Sequence, residues 1–205
     1  MIVRESTSAW EEAARIISAG GLVVFPTDTV YGIGCNPYNV AAIEAIFDAK
    51  SRSHLKALPL LVADLSVVVE VSTGQNTSAQ ALAKAFWPGA LTLVLPKAAA
   101  LPEALGGGDT IAVRVPDQDG LRGMIALCGG AIAATSANIS GLPDALNAEE
   151  AAAYLESKVQ LIIDGGQARG GIPSTVVNCS GSSPTVLRAG AISEEAVMLA
   201  LTEGL

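Results

Sequence analysis

Short apolar runs alternate along the chain with stretches whose apolar residues recur every three or four positions. From Ser8 to Ala19, Trp10, Ala13, Ala14 and Ile17 share one helical face, and Gly20-Gly21 ends the run. Leu22-Val23-Val24-Phe25 reads as a buried strand closed by Pro26. Val40 to Ala49 returns to helical spacing through Ala42, Ile43, Ile46 and Phe47, and delivers Lys50 at its C-terminal end. Leu58 to Val62 predicts a strand, and Thr77 to Phe86 a helix broken by Trp87-Pro88-Gly89. Leu91 to Leu95 and Thr110 to Val115 carry the strongest strand pattern, separated by a Gly106-Gly107-Gly108 loop expected to be mobile. A helix from about Gly120 to Leu127 leads into a strand at Ala131 to Ala134 and the turn Thr135-Ser136-Ala137-Asn138. Asn147 caps a helix over Ala148 to Ser157, followed by strands at Val159 to Ile163, Thr175 to Asn178 and Thr185 to Leu187. A helix from Ser193, with Glu194 and Glu195 in its first turn, closes the chain.

This interleaving predicts an α/β fold, a single domain over residues 1–205 with a twisted mixed β-sheet flanked by helices and a central substrate cleft. No internal repeat or linker marks a second domain. Half of the 205 residues are hydrophobic and 16% are charged, enough for a substantial core and unlike a disordered chain. Aromatics make up only 4%, so Val, Ile, Leu and Ala must fill that core. No apolar run approaches the roughly 20 residues that cross a bilayer. Met1-Ile2-Val3-Arg4-Glu5 lacks the apolar segment of a signal peptide, so the expected location is cytoplasmic, without membrane partners. Cys35, Cys128 and Cys179 are odd in number and far apart, which suits small buried thiols better than a disulfide framework or a zinc site. A net charge of -8 argues against broad, non-specific nucleic-acid binding and leaves a local basic cleft open.

The cations are unevenly placed. Lys50, Arg52 and Lys56 fall within seven positions, around the single histidine, His54. Upstream lies the hydroxyl-rich turn Pro26-Thr27-Asp28-Thr29-Val30-Tyr31-Gly32. Such a cluster suits a polyanion, most simply the phosphates of a nucleotide. A solvated helix end, where cations favour the macrodipole, is the competing reading of the charges alone. Other polar residues collect just past strands: Arg114, then Thr135, Ser136 and Asn138, then Ser174 and Thr175, then Arg188. Strand ends are where side chains from separate segments converge on a ligand in α/β sheets. Each residue also has a plainer reading, as a turn former, a strand residue or an ion-pair partner.

Standard catalytic machinery is absent. There is no Gly-x-Ser-x-Gly elbow, no phosphate-binding Gly-x4-Gly-Lys-Ser/Thr loop and no Gly-x-Gly-x-x-Gly, since Gly32-Ile33-Gly34 runs into Cys35-Asn36-Pro37. His54, with cations as sequence neighbours, reads as a polar loop residue rather than a base. What remains is a set of cations, hydroxyls and an amide, suited to positioning and charge stabilisation. Phosphoryl or nucleotidyl transfer, in which the substrate supplies the nucleophile, fits such a set.

Pro26-Thr27-Asp28-Thr29-Val30-Tyr31-Gly32-Ile33-Gly34, Lys50-x-Arg52-x3-Lys56, Trp87-Pro88-Gly89-Ala90-Leu91-Thr92-Leu93, Ala112-Val113-Arg114-Val115-Pro116, Ser136-Ala137-Asn138-Ile139-Ser140-Gly141, Pro173-Ser174-Thr175-Val176 and Leu187-Arg188-x-Gly190 resemble, in order, the motifs of the YrdC family. The family's enzymes are threonylcarbamoyl-AMP synthases. The resemblance implies a YrdC-like fold and a reaction of L-threonine, bicarbonate (or CO2) and ATP that yields threonylcarbamoyl-AMP and pyrophosphate. That product serves N6-threonylcarbamoyl modification of adenosine 37 in tRNA. By the same resemblance, Thr29, Arg114, Ala134, Ser136 and Ser174 would hold L-threonine, with Arg114 on its carboxylate. Lys50, Arg52 and Lys56 would be the catalytic cations on the triphosphate, and Thr110, Ser136, Asn138, Asp144 and Arg188 would complete the ATP site. Mg2+ would arrive with ATP. A threonylcarbamoyl-transferase complex would take the product, and weak tRNA or double-stranded RNA binding is compatible with the family.

The sequence departs from the family pattern at Ser53, where Pro is frequent, and at Ala57, where Pro or Gly is frequent. Its end soon after Arg188 resembles the family's single-domain type. A non-catalytic RNA-binding relative is the main alternative, although such relatives diverge in the cationic and Ser-x-Asn motifs kept here. A carbamoyl-transfer module of the hydrogenase-maturation kind is more distant, since those chains carry zinc-finger cysteines that this sequence lacks.

Overall fold

A computed structural model describes residues 1–203. Its strands are β1 (Ile2–Arg4), β2 (Val23–Phe25), β3 (Gly32–Cys35), β4 (Leu60–Val62), β5 (Leu91–Pro96), β6 (Thr110–Arg114), β7 (Ala131–Ser136), β8 (Leu161–Asp164), β9 (Thr175–Asn178) and β10 (Thr185–Arg188). The α-helices are α1 (Thr7–Ser18), α2 (Val40–Lys50), α3 (Leu65–Val71), α4 (Thr77–Phe86), α5 (Asp119–Leu127), α6 (Ala148–Leu155) and α7 (Glu194–Glu203). All ten strands form one sheet in the order β1-β8-β2-β3-β7-β4-β6-β5-β9-β10. Parallel pairs (β1/β8, β2/β8, β4/β6 and β5/β9) are interspersed with antiparallel ones, so the sheet is mixed as expected.

Strand alternation sorts side chains onto two faces. Val24, Ile33, Leu60, Val62, Leu91, Leu93, Ile111, Val113, Ile162 and Val177 join a large core beneath α2, α3, α4, α6 and α7. Val23, Phe25, Leu61, Ile132, Ala134, Leu161 and Ile163 point the other way, into a smaller core closed by α1 and α5. These two helices pack on each other and on β2, β3, β4, β7 and β8. The second face of β6, β5 and β9 carries Ala112, Arg114, Thr92 and Val176, and there the cleft opens. The incomplete helical layer is what creates the site.

Local sequence explains most elements. Ser6, Asn39, Asn76, Gln118 and Asn147 each cap a helix by accepting a backbone N–H. Three elements fall outside the sequence expectation. β1 is only three residues long and pairs at the sheet edge through β8. The β3 sequence, Gly32-Ile33-Gly34-Cys35, shows no strand pattern because Phe25 lies across it. A Cβ at Gly32 or Gly34 would come within 2.8 and 2.9 Å of that ring. In α3, β-branched Val67, Val68 and Val71 are held helical by burial, after a cap in which Asp64 accepts from Ser66 N. The expected strand at Val159 to Ile163 begins later, because a 3-10 turn at Glu156–Lys158 precedes Leu161.

Candidate functional site

The cleft is a cavity of about 310 Å3. Its floor is the uncovered face of the sheet, and its walls come from four loops: residues 27–31 after β2, 52–59 after α2, 136–144 after β7, and 173–174 before β9. Of the sequence-derived candidates, Thr29, Arg52, Arg114, Ala134, Ser136, Asp144, Ser174 and Arg188 line it together. Lys50 and Asn138 stand behind the wall, both buried. Lys56 is exposed on the 52–59 loop, outside the lining. Thr110 also lies outside, its hydroxyl donating to Gly107 O at 2.9 Å.

Arg114 is fixed on three sides. Nε donates to Gly89 O at 2.9 Å, Nη1 to Thr29 Oγ1 at 2.9 Å and Nη2 to Asp28 Oδ1 at 2.5 Å. Five N–H donors are available to a guanidinium, so two remain for a ligand. The turn that supplies Asp28 and Thr29 is self-bracing: Thr27 Oγ1 donates to Val30 O at 2.7 Å and accepts from Thr29 N at 3.0 Å. Tyr31 secures the other side, its hydroxyl donating to Gly166 O at 2.7 Å and accepting from Gly165 N at 3.1 Å. Burial pushes that phenol up to about 12, which keeps it a donor.

Across the floor, Ser174 Oγ and Thr92 Oγ1 share a hydrogen bond of 2.8 Å. Arg188 Nη2 donates to Ser174 O at 2.7 Å and to its Oγ at 3.2 Å. Arg52 folds over its own loop, donating to Lys56 O and Ala57 O at 3.2 and 2.8 Å. Burial lowers the pKa of Arg52, and that of Arg188, where the charge of Arg114 adds to the effect and Asp144 opposes it. Three guanidinium groups and one lining carboxylate, Asp144, give the cleft a positive interior in an acidic chain.

The cationic motif is shaped by one backbone residue. Ser51 caps α2 in the left-handed region, at φ 50 and ψ 44, and is the only non-glycine residue with positive φ among those described. The reversal turns Lys50 inward while Arg52 faces the cleft. Lys50 Nζ donates to Ser136 O, to Asn138 O at 2.6 Å and to Asn138 Oδ1 at 3.0 Å. Burial, and then the charge of Arg52, lower its pKa to about 8 against the pull of Asp144.

His54 stands outside the cleft. Its ring stacks on Phe47 with centroids 4.3 Å apart, and Nε2 lies 3.6 Å from Glu44 Oε2. It is a loop residue as expected, but accompanied by a carboxylate where the sequence offered only cations. Burial raises all three thiols, Cys35 to about 12 and Cys128 and Cys179 to about 11, so none is a poised nucleophile. Among the described residues no group of three His, Cys, Asp or Glu side chains is placed to hold a metal ion. Sequence reasoning missed Asp28 as the partner of Arg114 and Thr92 as the partner of Ser174. Thr92 was findable, being polar between Leu91 and Leu93 in an apolar strand.

A mixed sheet whose uncovered face carries a cleft lined by three arginines, several hydroxyls and one carboxylate defines an α/β protein with a basic cleft of small-molecule size. The Sua5/YciO/YrdC family model, described as telomere recombination, matches residues 15–190, and the chain belongs to that family. It is 41% identical over 198 residues to a threonylcarbamoyl-AMP synthase of Pyrococcus abyssi, which covers 95% of this chain and 58% of the relative. It is 40% identical over 188 residues to the threonylcarbamoyl-AMP synthase of Bacillus subtilis, covering 91% of this chain and 54% of the relative. The fold matches the crystal structure of P. abyssi Sua5 complexed with L-threonine with a TM-score of 0.93 and 39% identity, over 98% of this chain and 60% of that one. The chain thus spans little more than half the length of these relatives. None of its described helices is long and apolar enough to cross a membrane.

Proposed function

We propose that this chain is a cytoplasmic L-threonylcarbamoyladenylate synthase, converting L-threonine, bicarbonate or CO2, and ATP into threonylcarbamoyl-AMP and pyrophosphate. The observation that carries the reading is the division of the cleft. A held guanidinium (Arg114) stands with Thr29 in contact and with the Ser174–Thr92 pair on the same floor, Arg52 and Asp144 line the rest of the cavity, and Arg188, hydrogen-bonded to Ser174, joins the two parts. The first half suits an amino acid with a hydroxyl, its carboxylate taking the two free N–H groups of Arg114. The second suits a nucleotide, with Arg52, Arg188 and the exposed Lys56 on the triphosphate.

The chemistry then needs no enzyme nucleophile. The threonine amine adds to CO2 with loss of a proton to solvent, or condenses with bicarbonate with loss of water, and in either case the N–C bond formed gives a carbamate. A carbamate oxygen attacks the α-phosphorus, forming the P–O bond as the bond to pyrophosphate breaks. Cations around the phosphates stabilise the charge that develops on the departing oxygens. Mg2+ belongs with ATP as its counter-ion, and Asp144 is the lining carboxylate that could meet it. Transfer of the labile product to a tRNA-modifying threonylcarbamoyl-transferase complex completes the proposal. Net charge -8 speaks against an RNA-binding role without turnover.

The test is pyrophosphate release by the purified chain. It should require threonine, bicarbonate and ATP together, and Arg52→Ala should reduce kcat/KM by a hundredfold or more with the circular dichroism spectrum unchanged. ATP binding without product under these conditions would overturn the assignment.

A further inference from the structure

The sequence places Lys50 among residues that touch phosphate, yet its ammonium faces away from the cleft. Lys has three N–H donors and no acceptor. All three are spent on Ser136 O, Asn138 O and Asn138 Oδ1, and the residue is 1% exposed. Its carbonyl is engaged as well, accepting from Ser140 N at 2.9 Å. Lys50 therefore grips the loop after β7 at both its ends.

That grip reaches the cleft through Asn138. With Oδ1 bound to Lys50 and Nδ2 donating to Leu142 O at 2.5 Å, the amide cannot turn over. Oδ1 also accepts from Ser136 Oγ at 2.6 Å, which orients the one hydroxyl of this loop that lines the cavity. Removing the ammonium would take the Lys50 donor from two carbonyls and leave the amide oxygen with Ser136 Oγ alone, in a wall that excludes water.

We propose that Lys50 is a positioning residue for the loop Ser136–Ser140, acting on the substrates through Asn138 and Ser136 and not by contact with phosphate. This rests on the synthase reading for its consequence in turnover, but the brace itself is a property of the fold. Arginine does not replace lysine here, because its planar fork cannot direct three N–H groups at three divergent acceptors.

A double-mutant cycle tests the proposal, with Lys50→Arg, Asn138→Ala and the double variant compared for MgATP affinity by calorimetry and for turnover. Each single change should cost about tenfold, and the double variant about the same tenfold, since both break one brace. Lys50→Arg should lower kcat more than it raises the KM for ATP. A hundredfold loss in the double variant, or wild-type ATP affinity in Lys50→Arg, would overturn it, because a phosphate contact predicts additivity and tolerance of arginine. If the wild-type chain neither binds ATP nor turns over, the synthase reading fails and the same cycle is read in urea midpoints. Coupled destabilisation then supports the brace, and additive destabilisation refutes it.

Discussion

Removing the carboxylate of Asp28 should expose how much of the cleft depends on a single ion pair. Asp28 Oδ1 lies 2.5 Å from Arg114 Nη2, and the two side chains are 12% and 7% exposed. Losing one member of a buried pair typically costs about 3–5 kcal/mol, because the other charge is left without compensation. Arg114 keeps neutral partners in Thr29 and Gly89, and the cleft admits water, so about 3 kcal/mol is expected for Asp28→Ala. Asp28→Asn retains an oxygen acceptor and should cost roughly half of that. With a urea slope near 3 kcal/mol/M for a chain of this size, Asp28→Ala moves the midpoint by about 1 M. Arg114→Met isolates Asp28 in its turn, and the double variant removes both charges. The cycle should therefore return a coupling of about 2–3 kcal/mol. A coupling below about 0.5 kcal/mol, or an unchanged midpoint for Asp28→Ala, would show that solvent already screens the pair and would refute the reasoning.

Two further outcomes follow from local geometry. Ser51 pays the left-handed penalty of a residue with Cβ, so Ser51→Gly should raise stability by up to about 1 kcal/mol, and Ser51→Val should lower it by more, both read from thermal midpoints. Alkaline titration should separate Lys50 from the thiols. A lysine whose folded pKa is about 8 adds stability only as pH rises from 8 towards the ordinary 10.5, whereas thiols raised to about 11 and 12 hold full stability below 9 and lose it as pH climbs through those values. Carbon-detected NMR of labelled lysines should place Lys50 near 8, and urea midpoints should fall only above about pH 9; a Lys50 titration near the ordinary value would contradict the burial effect.

Much of this architecture was legible before any coordinates. Apolar periodicity located α1, α2, α4, α5, β5 and β6 because each buries one face against a single layer. The failures share a cause in tertiary packing. β3 is glycine-rich because the Phe25 ring occupies the space of its side chains, and α3 is a valine-rich helix sustained by the core beneath it. The cleft could be anticipated as polar residues past strand ends, since hydroxyls and arginines there have no core role. What spacing could not show was direction. Lys50 and Arg52 are neighbours in one motif, yet the left-handed Ser51 sends them to opposite sides of a wall. Nor could it show that Asp28 holds Arg114, because that contact spans 86 positions of sequence.

The central claim, that one cleft joins threonine to the nucleotide, is tested most directly by mass spectrometry of products formed from MgATP and bicarbonate with threonine, serine or alanine in turn. Threonine should give threonylcarbamoyl-AMP, and alanine should give far less of its counterpart, since its use leaves the Thr29 and Ser174–Thr92 hydroxyls without a partner in the ligand. Equal products from threonine and alanine, or no adenylate from any of the three, would contradict it.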